Sequence, residues 1–167
     1  MSREQEFAEF AGARMRPLYR AAWLLCGDAH RAEDLTQETL AKVFAHWGPR
    51  LQNPAAYAHT TLVRTWISHQ RRRTHHEEPM AALPEAPASY DDSDLRMVLR
   101  AALLQLEPLD RAVLVLRYLD DVSVEDVATV LGLSSTAVRS RAKRALAKVR
   151  ATLGDHLPDL QLSQESR

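Results

Sequence analysis

The sequence predicts an all-α protein of two small helical domains joined by a flexible linker, the second domain carrying a helix-turn-helix. Three observations lead there. Only five glycines occur in 167 residues, while Ala, Leu, Arg and Glu, which lose little side-chain freedom in a helix, are abundant. Apolar residues recur at intervals of three and four along most of the chain. That period lapses over 74–92, where three prolines and scattered acids have the composition of an interdomain linker. The reading therefore divides the chain into a domain over 1–73, the linker over 74–92, a domain over 93–153 and a frayed tail over 154–167.

Each element has its own signal. From Glu4 to Leu25, Phe7, Ala11, Met15, Leu18, Ala22 and Leu25 share one helical face, and Gly27-Asp28 ends it. A second helix over 31–47 buries Leu35, Leu40, Val43, Phe44 and Trp47, leaves Asp34, Gln37, Glu38 and Lys42 outside, and stops at Gly48-Pro49. Asn53-Pro54 starts a third: Asn caps free N–H groups, and Pro at the first helical position loses no hydrogen bond. It extends to about Arg73 on a stripe of Leu62, Val63, Trp66 and Ile67, and its far end is basic.

After the linker, Leu95, Val98, Leu99, Ala102, Leu103 and Leu106 restore the period, and a new helix from Pro108 packs Val113, Leu114, Leu116 and Tyr118. Ser123-Val-Glu-Asp126 resembles a capping box with Asp in place of Glu, and opens a short helix holding Val127, Ala128 and Leu131. Gly132 breaks it. The last helix, 135–153, turns Val138, Ala142, Ala145, Leu146 and Val149 inward and leaves Arg139, Arg141, Lys143, Arg144, Lys148 and Arg150 accessible, with no acid in that run.

Charge excludes a uniformly basic nucleic-acid binder, because 22 Lys+Arg balance 22 Asp+Glu; local distribution carries the argument instead. The single cysteine, Cys26, permits no intrachain disulfide and reads as a small buried hydrophobe in a reducing cytosol. No apolar run approaches the roughly 20 residues of a membrane span, and no signal-peptide pattern opens the chain, so a cytoplasmic location is expected.

Function is written most strongly in residues 124–146, where a capped short helix, a Gly turn and a helix with a hydroxyl and basic face form a helix-turn-helix. Its second helix fits the major groove. There Ser134, Ser135, Thr136 and Arg139 would face base edges or nearby phosphates, Arg139 with a bidentate reach to guanine, while Arg141, Lys143 and Arg144 hold phosphates. A second basic patch, Arg64, His69, Arg71, Arg72 and Arg73, could clamp a single strand with Trp66 as stacking platform, although Trp66 equally suits the core.

Ala32-Glu-Asp-Leu-Thr-Gln-Glu-Thr-Leu-Ala-Lys-Val-Phe44, then Asn53-Pro54, then the Arg-rich helix end, resemble the polymerase-binding and minus-ten-reading domain of sigma factors of the extracytoplasmic-function group. Leu106-Glu-Pro-Leu-Asp-Arg-Ala-Val-Leu-Val-Leu-Arg-Tyr118, Ser123-Val-Glu-Asp-Val-Ala128 and Ser134-Ser-Thr-Ala-Val-Arg-Ser-Arg141 resemble the group's minus-thirty-five-reading domain. The resemblance implies a bacterial transcription initiation factor without catalytic chemistry, cofactor or metal. It implies three partners: core RNA polymerase, through its β′ clamp helices and β flap; promoter DNA; and an anti-sigma factor as a candidate third. It places Asp34, Gln37 and Glu38 against the clamp helices, and the helix ending at Arg73 on the opened minus-ten strand. Arg64 and Thr136 depart from the residues frequent in the group, which bears on promoter preference.

Other classes fit less well. His75-His76-Glu77-Glu78, with His59 and His69, is the best enzyme candidate, but adjacent side chains in a Pro-rich stretch diverge and fix no metal geometry. An autonomous helix-turn-helix regulator with an N-terminal helical sensor or dimerisation domain shares the C-terminal motif, yet needs a pocket or a dimer face rather than an acidic-polar face and a basic helix end. A scaffold binding only protein has no use for the basic run from Arg139 to Arg150.

Overall fold

Helical packing accounts for the whole of the computed structural model, which describes residues 1–75 and 94–154. The elements are α1 (Arg3–Cys26), α2 (Ala29–Ala45), α3 (Pro54–His75), α4 (Asp94–Leu104), α5 (Pro108–Leu114), a π-helical turn (Val115–Leu119) continuing α5, α6 (Val124–Leu131) and α7 (Ser135–Leu153). Among the described residues there is no strand. Apart from Thr74 and His75, which extend α3, the linker expected over 74–92 lies outside them, as does the tail beyond Gly154.

Local chemistry sets the helix ends. Ser2 and Gln5 form a reciprocal capping box on α1, Asp28 accepts from the Arg31 N–H at 2.8 Å to start α2, and Asn53 accepts from the Ala56 N–H at 3.1 Å to start α3. Ser123 caps α6 through the Asp126 N–H at 3.1 Å, but no return bond from Asp126 completes a box. The aspartate side chain is one methylene shorter than the glutamate that normally makes it.

Helices α1, α2 and α3 close around Leu18, Leu25, Leu35, Val43, Leu62, Val63 and Trp66. Thr36 and Thr39 are buried there without penalty, because each hydroxyl donates to the carbonyl one turn back at 2.7 Å. Phe7 seals the open end, 4.9 Å from the Phe44 ring and 5.2 Å from that of Trp47. The same apolar cluster continues into the C-terminal helices through Ala112, Val113, Leu116, Val127, Leu131 and Val138. A smaller cluster of Ala102, Leu103, Leu106, Leu114, Ala145, Val149 and Leu153 joins α4 and α5 to α7.

Two expected core positions face outward. Met15 is 40% exposed and Tyr118 45% exposed. Tyr118 sits on the π-helical turn, whose wider i+5 spacing shifts the register that the α-helical period assumed. Met15 lies beside Gln37, Leu40 and Phe44 on the rim of a shallow groove between α1 and α2.

The two helical groups meet at the C-terminal end of α1. No basic residue occupies the last turn of that helix, and its free carbonyls are taken by arginines from the other group. Arg111 is buried and donates from Nη1 to the Leu25 carbonyl at 2.5 Å, from Nε to Leu103 O at 2.9 Å and from Nη2 to Leu106 O at 3.1 Å. Its guanidinium lies 5.4 Å from the Trp66 ring centroid. Arg100 donates from Nε to the Gly27 carbonyl at 2.8 Å and also from Nη2. Burial lowers the pKa of Arg111 from the ordinary arginine range, but four carbonyl acceptors, the fourth being Leu104 O at 3.4 Å, let the cation stay in the interior.

Gly27 serves that junction twice. Its φ of 69° is left-handed, and a Cβ there would lie 2.6 Å from a methyl carbon of Leu104. Gly132 has a similar φ of 67° but open space around it. Gly132→Ala is therefore expected to cost about 1–2 kcal/mol for the backbone alone, and Gly27→Ala more. Urea midpoints of the two variants check this ordering.

Candidate nucleic-acid interface

The basic face of α7 begins at its cap. Ser134 is exposed, and its hydroxyl accepts from the Ala137 N–H at 3.1 Å, so the same residue starts the helix and stands at its exposed N-terminal end. Ser135 is half-buried, and Thr136, Arg139, Lys143 and Arg144 are exposed. Arg139 reaches back to Glu125 on α6, Nη2 to Oε1 at 3.4 Å, a surface pair that costs little to break. These five side chains, with Ser134, lie at or along the outer face of one helix.

Arg141 corrects the expectation of an open basic run. It turns inward and pairs with the buried Asp110 of α5, Nη1 to Oδ1 at 2.7 Å. Position 141 follows Val138 by three residues and precedes Ala145 by four, so it lies beside the buried stripe rather than opposite it. The pair fastens α7 to α5.

Along α3 the predicted patch splits. Arg64, Arg71 and Arg72 are exposed and Arg73 is half-buried. Arg72 also donates to the Ser68 hydroxyl at 3.2 Å. Trp66 is 1% exposed beneath Arg111, so it is a core residue and offers no stacking platform. His69 stands 2.9 Å from Glu38 on α2.

On α2, Asp34 and Gln37 are exposed, and Glu38 is held from both sides: its Oε1 lies 2.9 Å from Lys42 Nζ and its Oε2 2.9 Å from His69 Nε2. Burial alone raises the Glu38 pKa, but hydrogen bonds and charge from Lys42 and His69 outweigh it and hold the carboxyl below its ordinary value. Lys42 further donates to Thr65 on α3 at 3.1 Å, so Glu38 belongs to a network tying α2 to α3. The groove floored by Phe7, Ala11, Met15, Leu40 and Phe44 adjoins Gln37. The helical period had assigned Phe7, Ala11, Met15, Leu40 and Phe44 to the core and missed that some line an open surface.

Two helical groups, one with an acidic-polar face beside an apolar groove and the other with a capped helix-turn-helix, occur in a fixed order. The sigma-70 region 2 family matches residues 11–76 and the sigma-70 region 4 family residues 96–149. The RNA polymerase sigma-E factor of Streptomyces coelicolor is 35% identical over 89% of this chain and 86% of its own length. The chain belongs to the extracytoplasmic-function sigma factors. The ECF sigma factor SigL of Mycobacterium tuberculosis is 30% identical across 92% of this chain and 96% of its own. Among solved structures, the sigma factor RpoE of Bartonella quintana, crystallised with the anti-sigma factor NepR, superposes with a TM-score of 0.73 at 26% identity, covering 89% of this chain and 97% of that one. As a sigma factor, this protein directs transcription initiation. No helix among the described residues is long and apolar enough to cross a membrane.

The Arg141–Asp110 pair separates two roles that sequence alone merges. Arg141→Ala should lower folding stability by about 1–3 kcal/mol, because it strands a buried carboxylate, whereas Arg144→Ala should leave the unfolding midpoint unchanged. Chemical denaturation of both variants tests the distinction.

Proposed function

We propose that the sigma factor acts by binding alone, holding core RNA polymerase through residues 1–73 and reading promoter DNA with both helical groups in the cytoplasm. The observation that carries this reading is the division of surfaces: an exposed acidic-polar α2 face beside an apolar groove, and a basic α7 face opened by a serine cap. Asp34 and Gln37 meet the β′ clamp helices, with the groove at Met15 and Phe44 supplying apolar contact. Glu38, already engaged by Lys42 and His69, positions that face.

Arg64, Arg71, Arg72 and Arg73 track the opened minus-ten strand by charge, the term that dominates affinity for nucleic-acid backbone. Ser134, Ser135, Thr136 and Arg139 read the minus-thirty-five element in the major groove, and Lys143 and Arg144 hold phosphates. Residues 93–153 also meet the β flap, and an anti-sigma factor of the kind bound to the Bartonella relative is a candidate regulator.

Run-off transcription from genomic DNA with purified core polymerase tests the reading as a whole: discrete new transcripts appear only when the protein is added. Within it, Arg139→Ala should weaken binding to duplex promoter by about 1–3 kcal/mol with relaxed preference at one base pair, measured by titration at fixed salt. Asp34→Arg should abolish capture by core polymerase while leaving helical content intact. Undiminished capture by that variant would remove α2 from the proposed interface.

A further inference from the structure

We infer that the cleft between α1, the start of α3 and the segment just past the π-helical turn binds a small nucleotide, taking its phosphate with Arg14 and Arg20 and the amino group of its base with Asp120. The cleft has a volume of about 460 Å³, within the range of roughly 300–1,000 Å³ that small organic ligands occupy. It shares no residue with the surfaces proposed above for polymerase and promoter.

Its cations are unengaged. Arg14 and Arg20 are exposed on α1 and both line the cleft. No acid lies three or four positions from either one, so neither is neutralised from its own helix. Neither guanidinium has a hydrogen bond or ion pair among the described residues. The same cleft is lined by the first turn of α3, which opens with Pro54 and so without an N–H there. The Asn53 side chain takes the Ala56 N–H at 3.1 Å, and its carbonyl the Tyr57 N–H at 3.0 Å. Ala55, in the cleft wall, keeps an N–H with no intrahelical partner at the positive end of a 22-residue helix. Two guanidinium forks and a helix N-terminus together suit a phosphate, whose several oxygens can accept from both.

Independently of these, the cleft calls for a donor. Asp120 has a side chain only 5% exposed, and its Oδ2 is buried without a hydrogen bond. His59 of α3, also in the wall, brings Nδ1 to 2.8 Å from Oδ1 but forms no aligned hydrogen bond there. A buried carboxylate oxygen that no donor reaches is costly, and a ligand N–H relieves it.

These demands select the ligand class. Inorganic phosphate answers the arginines but sets like charge beside Asp120, and a simple amine does the reverse. A zwitterionic amino acid offers one carboxylate to two guanidinium groups and leaves the apolar wall of Pro17, Leu119 and Val122 uncovered. Leu119 is 49% exposed there. An adenine nucleotide supplies a phosphate for the arginines, a flat ring face for the wall and an amino group for Oδ2.

Isothermal titration of the full-length protein with AMP tests this. The comparison ligands are inorganic phosphate, adenosine and purine riboside monophosphate, which lacks only the amino group. AMP should saturate one site per chain and bind at least about tenfold more tightly than each of the three. Arg14→Ala and Arg20→Ala should each weaken AMP about tenfold while leaving helical content and adenosine binding unchanged. Arg50→Ala, outside the cleft, should change nothing.

AMP that fails to saturate overturns the inference, as does AMP binding that both cleft-arginine variants leave intact. Phosphate as tight as AMP reduces the cleft to a plain anion pocket, and purine riboside monophosphate as tight as AMP removes Asp120 from recognition; either overturns the nucleotide assignment. Displacement of AMP by an unphosphorylated single-stranded oligonucleotide gives the cleft to DNA and overturns it too. The titration contains no polymerase, so a chain that binds AMP but starts no transcript counts against the reading of polymerase and promoter contacts and leaves the nucleotide site standing.

Discussion

One buried guanidinium organises this molecule. Arg111 lies within α5, yet its acceptors come from the end of α4, the loop after it and the end of α1. An arginine in an apolar interior is costly unless every donor direction finds an oxygen, so its presence dictates where three helix ends must converge. The apolar cluster can then run unbroken from Leu18 to Val138, and Leu104 can settle against Gly27, the cap residue that follows α1 and has no side chain.

Around that fixed centre the working surfaces point elsewhere. A chain with no net charge still presents strongly charged faces, because acids and bases are sorted by helix and by side of helix. Asp34 and Gln37 stand out from α2, Arg71 and Arg72 from the end of α3, and Arg139, Lys143 and Arg144 from α7. The sorting is backed from inside: Asp110 withdraws Arg141 from the basic face and uses it to brace α7, and Glu38 pairs His69 of α3 with α2. Fewer cations are free than the sequence suggests, and those that remain are held on rigid elements.

Features governed by a few neighbouring residues were legible in advance. Asn53, Ser123 and Gly132 marked helix boundaries because capping and left-handed turns are local chemistry, and the order of the motifs was enough to recognise the family. What escaped was set by distant partners. Trp66 sits on the same helix as exposed arginines, and only the arrival of Arg111 from elsewhere in the chain settles its side. Arg141 looked like one of six accessible cations because Asp110 lies 31 residues away. Arg111 itself stands inside the Leu106–Tyr118 motif with nothing in its immediate sequence to say that it is buried. Tyr118 was misplaced because a change of helical pitch leaves no mark in an apolar period.

That change of pitch sets the aim of everything after it. The Asp120 N–H bonds to the Val115 carbonyl at 3.1 Å and the Val122 N–H to that of Leu116 at 2.9 Å, so the chain carries one residue more than an α-helical turn would need. Each helical residue advances the chain by about 100° around its axis. The extra residue thus acts as an angular offset between the helix that holds Arg111 and the pair α6 and α7. Lineages that lost it would swing α7 by more than a quarter turn, so insertions and deletions should be tolerated far less here than among Pro79, Pro84 and Pro87.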